Sequence, residues 1–259
     1  MISNESYIFL AVFAALALVA LIYLLSPKVS TLVEDITTRG AEFRERVNEL
    51  LRRHAYPDDP KAVMMVAYVA YALHFHQAIW LLKDAGLYAA AFALVRPVYD
   101  AWLRALWINA VAKPDEVEKV RHDKLQFPKI DKMLAEVRSV YFGHAGQDPE
   151  FAEAVDKFFY WMTSRDPKTG ARKTSLWEAL HSYTHPGARS LARFFTGSEV
   201  KQNYSEWDIA QGLNLPTLAL ILLMRGFFMA MDKQPEADEV ETLALQYFAE
   251  FNGRLNKGQ

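Results

Sequence analysis

The chain contains no cysteine. That excludes disulfides, thiolate metal sites and a cysteine nucleophile together, and it fits a cytoplasmic domain. Glycine and proline are sparse, 11 of each in 259 residues, and no stretch alternates convincingly with the period of two that a half-buried strand requires. There is no excess of positive charge either. A net charge of −2 argues against a generally basic nucleic-acid binder and leaves only a local basic patch for that role. Internal repeats and low-complexity tracts are missing as well. What is there is apolar: 52% hydrophobic and 23% charged residues, in a chain long enough for one large domain with an appendage or for two small domains.

The longest apolar run is "YIFLAVFAALALVALIYLL", Tyr7 to Leu25, 19 residues without a charge. As a helix it covers roughly 28 Å, the thickness of a bilayer core. Tyr7 and Tyr23 stand near its ends, where interfacial aromatics lie. The preceding "MISNES" has no Lys or Arg, so the run reads as an uncleaved anchor and not as a secretory signal. Lys28, Arg39, Arg44, Arg46, Arg52 and Arg53 follow it, with no basic residue before it. The charge asymmetry predicts a single-pass inner-membrane protein, N-terminus outside and bulk cytoplasmic.

The expected organisation is a membrane anchor over 1–27, a juxtamembrane amphipathic helix over 28–56, a helical bundle over 57–252 and a frayed tail over 253–259. In the second part Val33, Ile36, Gly40, Phe43, Val47 and Leu50 alternate in steps of three and four, as in a coiled-coil seam. Two readings follow: a stalk that forms a homodimer, or a helix lying on its own domain. Pro57 and Pro60 end it. Two long apolar helices come next, one from Pro60 to Gly86 and one carrying Pro97, which should kink it. Three shorter helices with proline or acidic starts fill the middle, followed by a polar loop from Thr163 to Ser175. The apolar stretch Leu213 to Met231 is either a second membrane span or a buried bundle helix. Arg225 interrupts it and favours the bundle. A last amphipathic helix covers roughly Glu236 to Phe251. The fold class is all-α.

Two segments carry polar chemistry on apolar helices. Arg96, Asp100 and Arg104 are spaced i, i+4, i+8 and so share one helix face. Asp100 can occupy only part of the donor capacity of two guanidinium groups. The rest must meet carbonyls, another acid, water or an anionic ligand. A structural ion-pair ladder, with carbonyls freed by Pro97 as partners, is the plain alternative to a binding site. Some eighty residues on, "LHSYTHPGARSLARFF" puts His181 and His185 one turn apart. Pro186 should end the helix at His185, beside the negative end of its dipole. A helix restarting after Gly187 would aim free N–H groups, with Arg189, at the same corner. These groups together would make an anion or phosphodiester site. The plain alternative is two histidines satisfying carbonyls at a helix junction. The spacing also suits zinc, but Ser182 stands where the HExxH motif needs glutamate, and no metal or other cofactor is called for.

The stretches "ALVRPVYDAWLRALWI" and "LHSYTHPGARSLARF" resemble a group of uncharacterised bacterial all-α domains, over roughly Ala62 to Met231. Here Pro186 precedes Gly187 where that group has His-Gly directly. Such domains look distantly similar to HEPN proteins, four-helix-bundle domains common in toxin–antitoxin and phage-defence systems. Many are metal-independent ribonucleases and others are inactive binding modules. The HEPN hallmark, arginine followed after four to six residues by histidine, is matched by "RSVYFGH" at Arg138 and His144. Two functions are expected: a membrane-anchored sensor or scaffold with an anion- or nucleotide-binding pocket, motivated by the anchor and the possible stalk, or the metal-independent endoribonuclease acting on RNA that the HEPN resemblance suggests, although His181 and His185 do not match its motif. In the second, His181 and His185 would move protons while Arg96, Arg104 or Arg189 holds the phosphate. A di-histidine metal hydrolase is a third reading, with Asp100 as a further ligand.

Overall fold

Proline and acidic residues set most of the helix starts. α1 spans Thr31–Arg52, α2 Pro60–Asp84, α3 Tyr88–Ala110, α4 Pro114–Arg121 and α5 Ile130–Tyr141. α6 spans Pro149–Met162, α7 Leu176–Thr184, α8 Glu206–Ala230 and α9 Gln234–Leu255. Asp59 caps α2 by accepting from the Lys61 and Ala62 amides ahead of a first-turn proline, and Asp148 caps α6 in the same way. Ser205 and Asp208 form a reciprocal capping box on α8. The structure, a computed structural model, describes residues 31–56, 58–143, 148–164, 169, 171, 175–184, 192–196, 199–200 and 202–255. The apolar run Tyr7 to Leu25 lies outside the described residues, as do His144, His185, Arg189 and 256–259. Among those described, the β structure is one two-residue antiparallel ladder, Phe195–Thr196 with Glu199–Val200. The rest of the architecture is helical.

α2 and α3 form a hairpin turned at Gly86, whose φ of 71° suits a residue without a side chain. α3 is the central element, packed against α2, α5, α7 and α8. Val95, Val98, Tyr99, Trp102, Leu103 and Leu106 of α3 are fully or almost fully buried. Its polar contacts reach the same neighbours: Tyr99 donates to the Leu215 carbonyl at 3.1 Å and the Trp107 indole to Glu136 at 2.7 Å. Pro97 sits inside α3, which continues through it from Tyr88 to Ala110.

The amphipathic helix expected after the anchor is α1, and it lies on its own domain, against α8 and α9. Val33, Ile36, Phe43, Val47 and Leu50 are buried there. Gly40 is the point of closest approach, since a Cβ on it would stand 2.6 Å from Trp80 Cζ2 and 3.3 Å from Thr217 Oγ1. The seam that suggested a stalk is therefore occupied by the same chain, and a homodimer through this helix would have to use its outer side. Behind Gly40 runs a buried polar chain. The Trp80 indole donates to His76 Nδ1 at 3.1 Å, and His76 Nε2 meets Thr217 Oγ1 at 3.0 Å. With Nδ1 accepting, the proton is on Nε2, which donates to the threonine hydroxyl. Burial first, and then the Arg44 charge, push the His76 pKa down to about 3.

α8 is as apolar as a membrane helix, and so is α2. By length and composition alone either can cross a bilayer; 78% of the most apolar window of α8 is buried within the molecule, against 33% for α2. Arg225 is the charge that interrupts α8. It pairs with Glu241 of α9 at 2.9 Å, donates to the Tyr141 carbonyl at 2.8 Å and lies 5.3 Å over the Phe151 ring. Glu241 also accepts the Asp148 amide at 2.6 Å, at the start of α6. One ion pair thus ties α8 and α9 to the end of α5 and the cap of α6.

Two predictions follow from these buried groups. Glu241→Gln leaves a buried guanidinium without its counter-charge and should cost about 3–5 kcal/mol in denaturant unfolding, whereas Arg225→Met with Glu241→Leu should recover much of that loss. The His76 pKa is below its unfolded value of about 6.5, so the unfolded chain binds more protons between about 6.5 and 3. The stabilisation from neutral His76 is complete above pH ~6.5 and disappears as pH falls toward 3, with a slope approaching ~1.4 kcal/mol per pH unit. Unfolding titrations of the wild type and His76→Leu should differ by that slope, and parallel curves would refute it.

Candidate functional site

α3 buries most of its circumference, and its remaining face carries Arg96, Asp100 and Arg104. The side chains of Arg96 and Asp100 are 20% and 29% exposed, and Arg104 is half-buried. α7 stands beside this face at Arg96, and Phe127 of the 122–129 connection stands beside it at Arg104. α7 is short and packs directly on α3. Leu180 holds it down, which turns Trp177 and His181, one turn apart, toward Arg96.

The Arg96 guanidinium lies 5.2 Å over the Trp177 ring, and its Nη1 hydrogen-bonds His181 Nδ1. A guanidinium only donates, so His181 accepts through Nδ1 and carries its proton on Nε2. Arg96 Nε and Asp100 Oδ2 are 3.8 Å apart, an ion pair without a short hydrogen bond. Eight residues along the helix, Arg104 lies 4.6 Å over the Phe127 ring, and its charge acts on the Tyr68 phenol of α2. Burial raises the Tyr68 pKa, and Arg104 pulls it partly back. Burial also raises the Asp100 carboxyl, and this outweighs the opposing pull of Arg104 and Arg96.

The structure thus brings Arg96, Asp100 and His181 together, with Arg104 one further turn along the same face. It puts Arg138 elsewhere, on α5, in a 2.6 Å ion pair with Asp156 of α6 and 5.9 Å over the Phe159 ring. His144, its partner in the arginine–histidine spacing, lies outside the described residues, as do His185 and Arg189. Arg193, in the short 3-10 turn Ala192–Phe194, is committed to Asp208 through two hydrogen bonds of 3.0 and 2.7 Å. Among the described residues no three His, Asp or Glu side chains gather as a metal site would need. Three contributors escape sequence reasoning: Tyr68, Phe127 and Trp177. Each looks like an ordinary core aromatic, and only Trp177, one turn before His181, carries a spacing signal.

Residues 69–156 match the profile of a family of unknown function (DUF6988). That stretch takes in Arg96, Asp100, Arg104 and the Arg138–Asp156 pair, and it stops before α7. No curated protein and no solved structure matches the chain.

The raised Asp100 carboxyl predicts a stability–function conflict. A carboxyl whose folded pKa lies above its unfolded value costs stability once the pH has passed both. Asp100→Asn should therefore raise the melting temperature at neutral pH, with the gap from wild type closing as pH falls toward 4. A melting temperature lowered by this change would show the carboxylate to be a net structural ion-pair partner.

Proposed function

We propose that this protein is a membrane-anchored helical scaffold or sensor that binds a small anion, with nucleotides as the leading class, on the polar face of α3 beside α7. The observation that carries this reading is the pair of half-buried arginines on one face of α3. Each guanidinium offers five N–H groups. Among the described residues, Arg96 hydrogen-bonds His181 and pairs with Asp100 at 3.8 Å, and Arg104 lies over the Phe127 ring, which are fewer contacts than ten N–H groups can serve. Trp177 and Phe127 fix the two forks from one side, which lowers the entropy lost on binding. A phosphate receives paired donors from such forks. The anchoring part rests on the run Tyr7 to Leu25, which would hold the bundle at the cytoplasmic face of the bacterial inner membrane. A place in stress response or phage defence rests on the HEPN-like resemblance alone.

A second reading, metal-independent RNA cleavage, is favoured by one observation. A carboxyl raised by burial and a neutral imidazole stand on either side of Arg96, the groups a proton-transfer mechanism needs. The di-histidine hydrolase has no comparable support, because His181 Nδ1 is already engaged by a guanidinium.

Binding is tested on the full chain in detergent by calorimetry and thermal shift with inorganic phosphate and 5′-mononucleotides. Saturable binding should weaken as salt rises, and Arg96→Ala or Arg104→Ala should each lose at least about tenfold in affinity, ~1.4 kcal/mol. Absence of binding to every anion tried would end the proposal. In parallel, RNA incubated in EDTA separates the two readings. Cleavage lost in both Asp100→Asn and His181→Ala supports the nuclease, and equal background in all three proteins removes it.

A further inference from the structure

The strip Arg96–Asp100–Arg104 alternates donor, acceptor and donor, and its two ends are not equivalent. At one end Arg96 donates to His181 Nδ1, which leaves the imidazole proton on Nε2. Guanidinium and imidazole are then both donors, and a phosphate accepts from both. At the other end Asp100 and Arg104 are one helical turn apart, the spacing at which opposite charges pair. Their charges act on each other. Among the described residues, however, the ion pair of Asp100 is with Arg96, at 3.8 Å, and no donor reaches its carboxylate at hydrogen-bond distance. The Asp100 side chain is 29% exposed and so open to a ligand. The Phe127 ring holds the Arg104 guanidinium at 4.6 Å and supplies no oxygen or nitrogen acceptor for its N–H groups. A carboxylate without donors therefore stands beside a fork, with a gap between them.

We propose that this end of the strip reads the base of a bound nucleotide and selects guanine. Asp100 accepts from the guanine N1–H and N2 amino groups, Arg104 donates to O6 and N7, and the 5′-phosphate lies on Arg96 and His181. The assignment rests on the anion-binding reading above and adds the base to it. Guanine carries two donors and two acceptors side by side on one edge, which matches a carboxylate beside a guanidinium fork. An arginine bidentate to O6 and N7 is the commonest specific contact to that base, and a carboxylate has lone pairs for two parallel bonds. Adenine puts its one donor, N6, between the acceptors N1 and N7. Its N1 would face a carboxylate oxygen, and each residue would keep a single bond. The ends of the strip are eight residues apart, roughly 12 Å along the helix, a span that an extended nucleoside 5′-phosphate covers from phosphate to base edge. Burial raises the Asp100 carboxyl more than the two arginines lower it, and two N–H groups of a base would supply the hydrogen bonds that favour its charged form.

The test is calorimetric titration of the full chain in detergent with 5′-GMP, 5′-IMP, 5′-AMP, 5′-CMP and inorganic phosphate at one salt concentration. GMP should bind at least about tenfold tighter than AMP or CMP, the discrimination that one bidentate pair supplies. IMP, which lacks only the N2 amino group of guanine, should fall between GMP and AMP. Arg96→Ala should weaken all the nucleotides alike, whereas Arg104→Ala should weaken GMP more than AMP. Asp100→Asn, expected above to melt higher than the wild type, turns an N–H toward one of the guanine donors. It should bring GMP and AMP to similar affinities and bind inorganic phosphate more tightly, because a negative charge beside Arg96 is gone. Equal affinities of the wild type for GMP and AMP would overturn the base assignment and leave the anion site standing, as would a guanine preference that survives Asp100→Asn. A chain that binds neither phosphate nor any nucleotide would overturn the anion-binding reading and this assignment with it.

Discussion

α3 is enclosed by α2, α5, α7 and α8, and that enclosure constrains the rest of the molecule. Its buried faces leave one strip on which polar side chains can stand, and the sequence puts two arginines and an aspartate there. A charge so close to the core must be compensated or must reach water. Among the described residues the neighbours supply aromatic faces at 5.2 and 4.6 Å, one imidazole and a carboxylate at 3.8 Å. The strip stays polar because the central helix cannot bury it among its apolar neighbours, and α7 meets it through Trp177 and His181.

Arg225 shows what a fully compensated arginine looks like in the same bundle. It is 2% exposed, with a carboxylate at 2.9 Å, a carbonyl at 2.8 Å and an aromatic ring at 5.3 Å. Its carboxylate partner takes a further hydrogen bond from a helix-capping amide. Arg96 and Arg104 have no such arrangement among the described residues, and Asp100 between them is made less acidic by its surroundings. Perturbed acidity beside half-occupied guanidinium groups is a feature of sites more than of scaffolds.

Much of this could be read from periodicity, because periodicity reports which face is buried. The α1 seam was legible to the residue, since Val33, Ile36, Phe43, Val47 and Leu50 are all buried. What covers them was not, because the same pattern serves a partner chain or the chain's own α8 and α9. The Arg96–Asp100–Arg104 ladder follows from helical geometry alone, but its meeting with His181 depends on how α7 folds back over a separation of eighty-five positions. Tyr68, Phe127 and Trp177 were invisible for a different reason. An aromatic on an apolar face has the same signature whether its ring fills the core or backs a guanidinium. Arg225 was legible as an anomaly in an apolar run, and Glu241 as its partner was not.

The expected juxtamembrane seam is met by its own bundle at the junction of α1 and α2. A seven-residue repeat is evidence that a helix face is covered, and the bundle supplies that cover for α1 through Gly40, where Trp80 and Thr217 approach the backbone. The His76–Thr217 contact and the Trp80 indole, on the inner side of α2, belong to the same junction. Holding α1 in place therefore uses the polar groups of the inner face of α2, and it leaves the outer face, apolar and without charge over twenty-one positions, exposed. The repeat in α1 therefore reports cover by the chain's own bundle, and the same apolar character on the outer side of α2 stays exposed among the described residues.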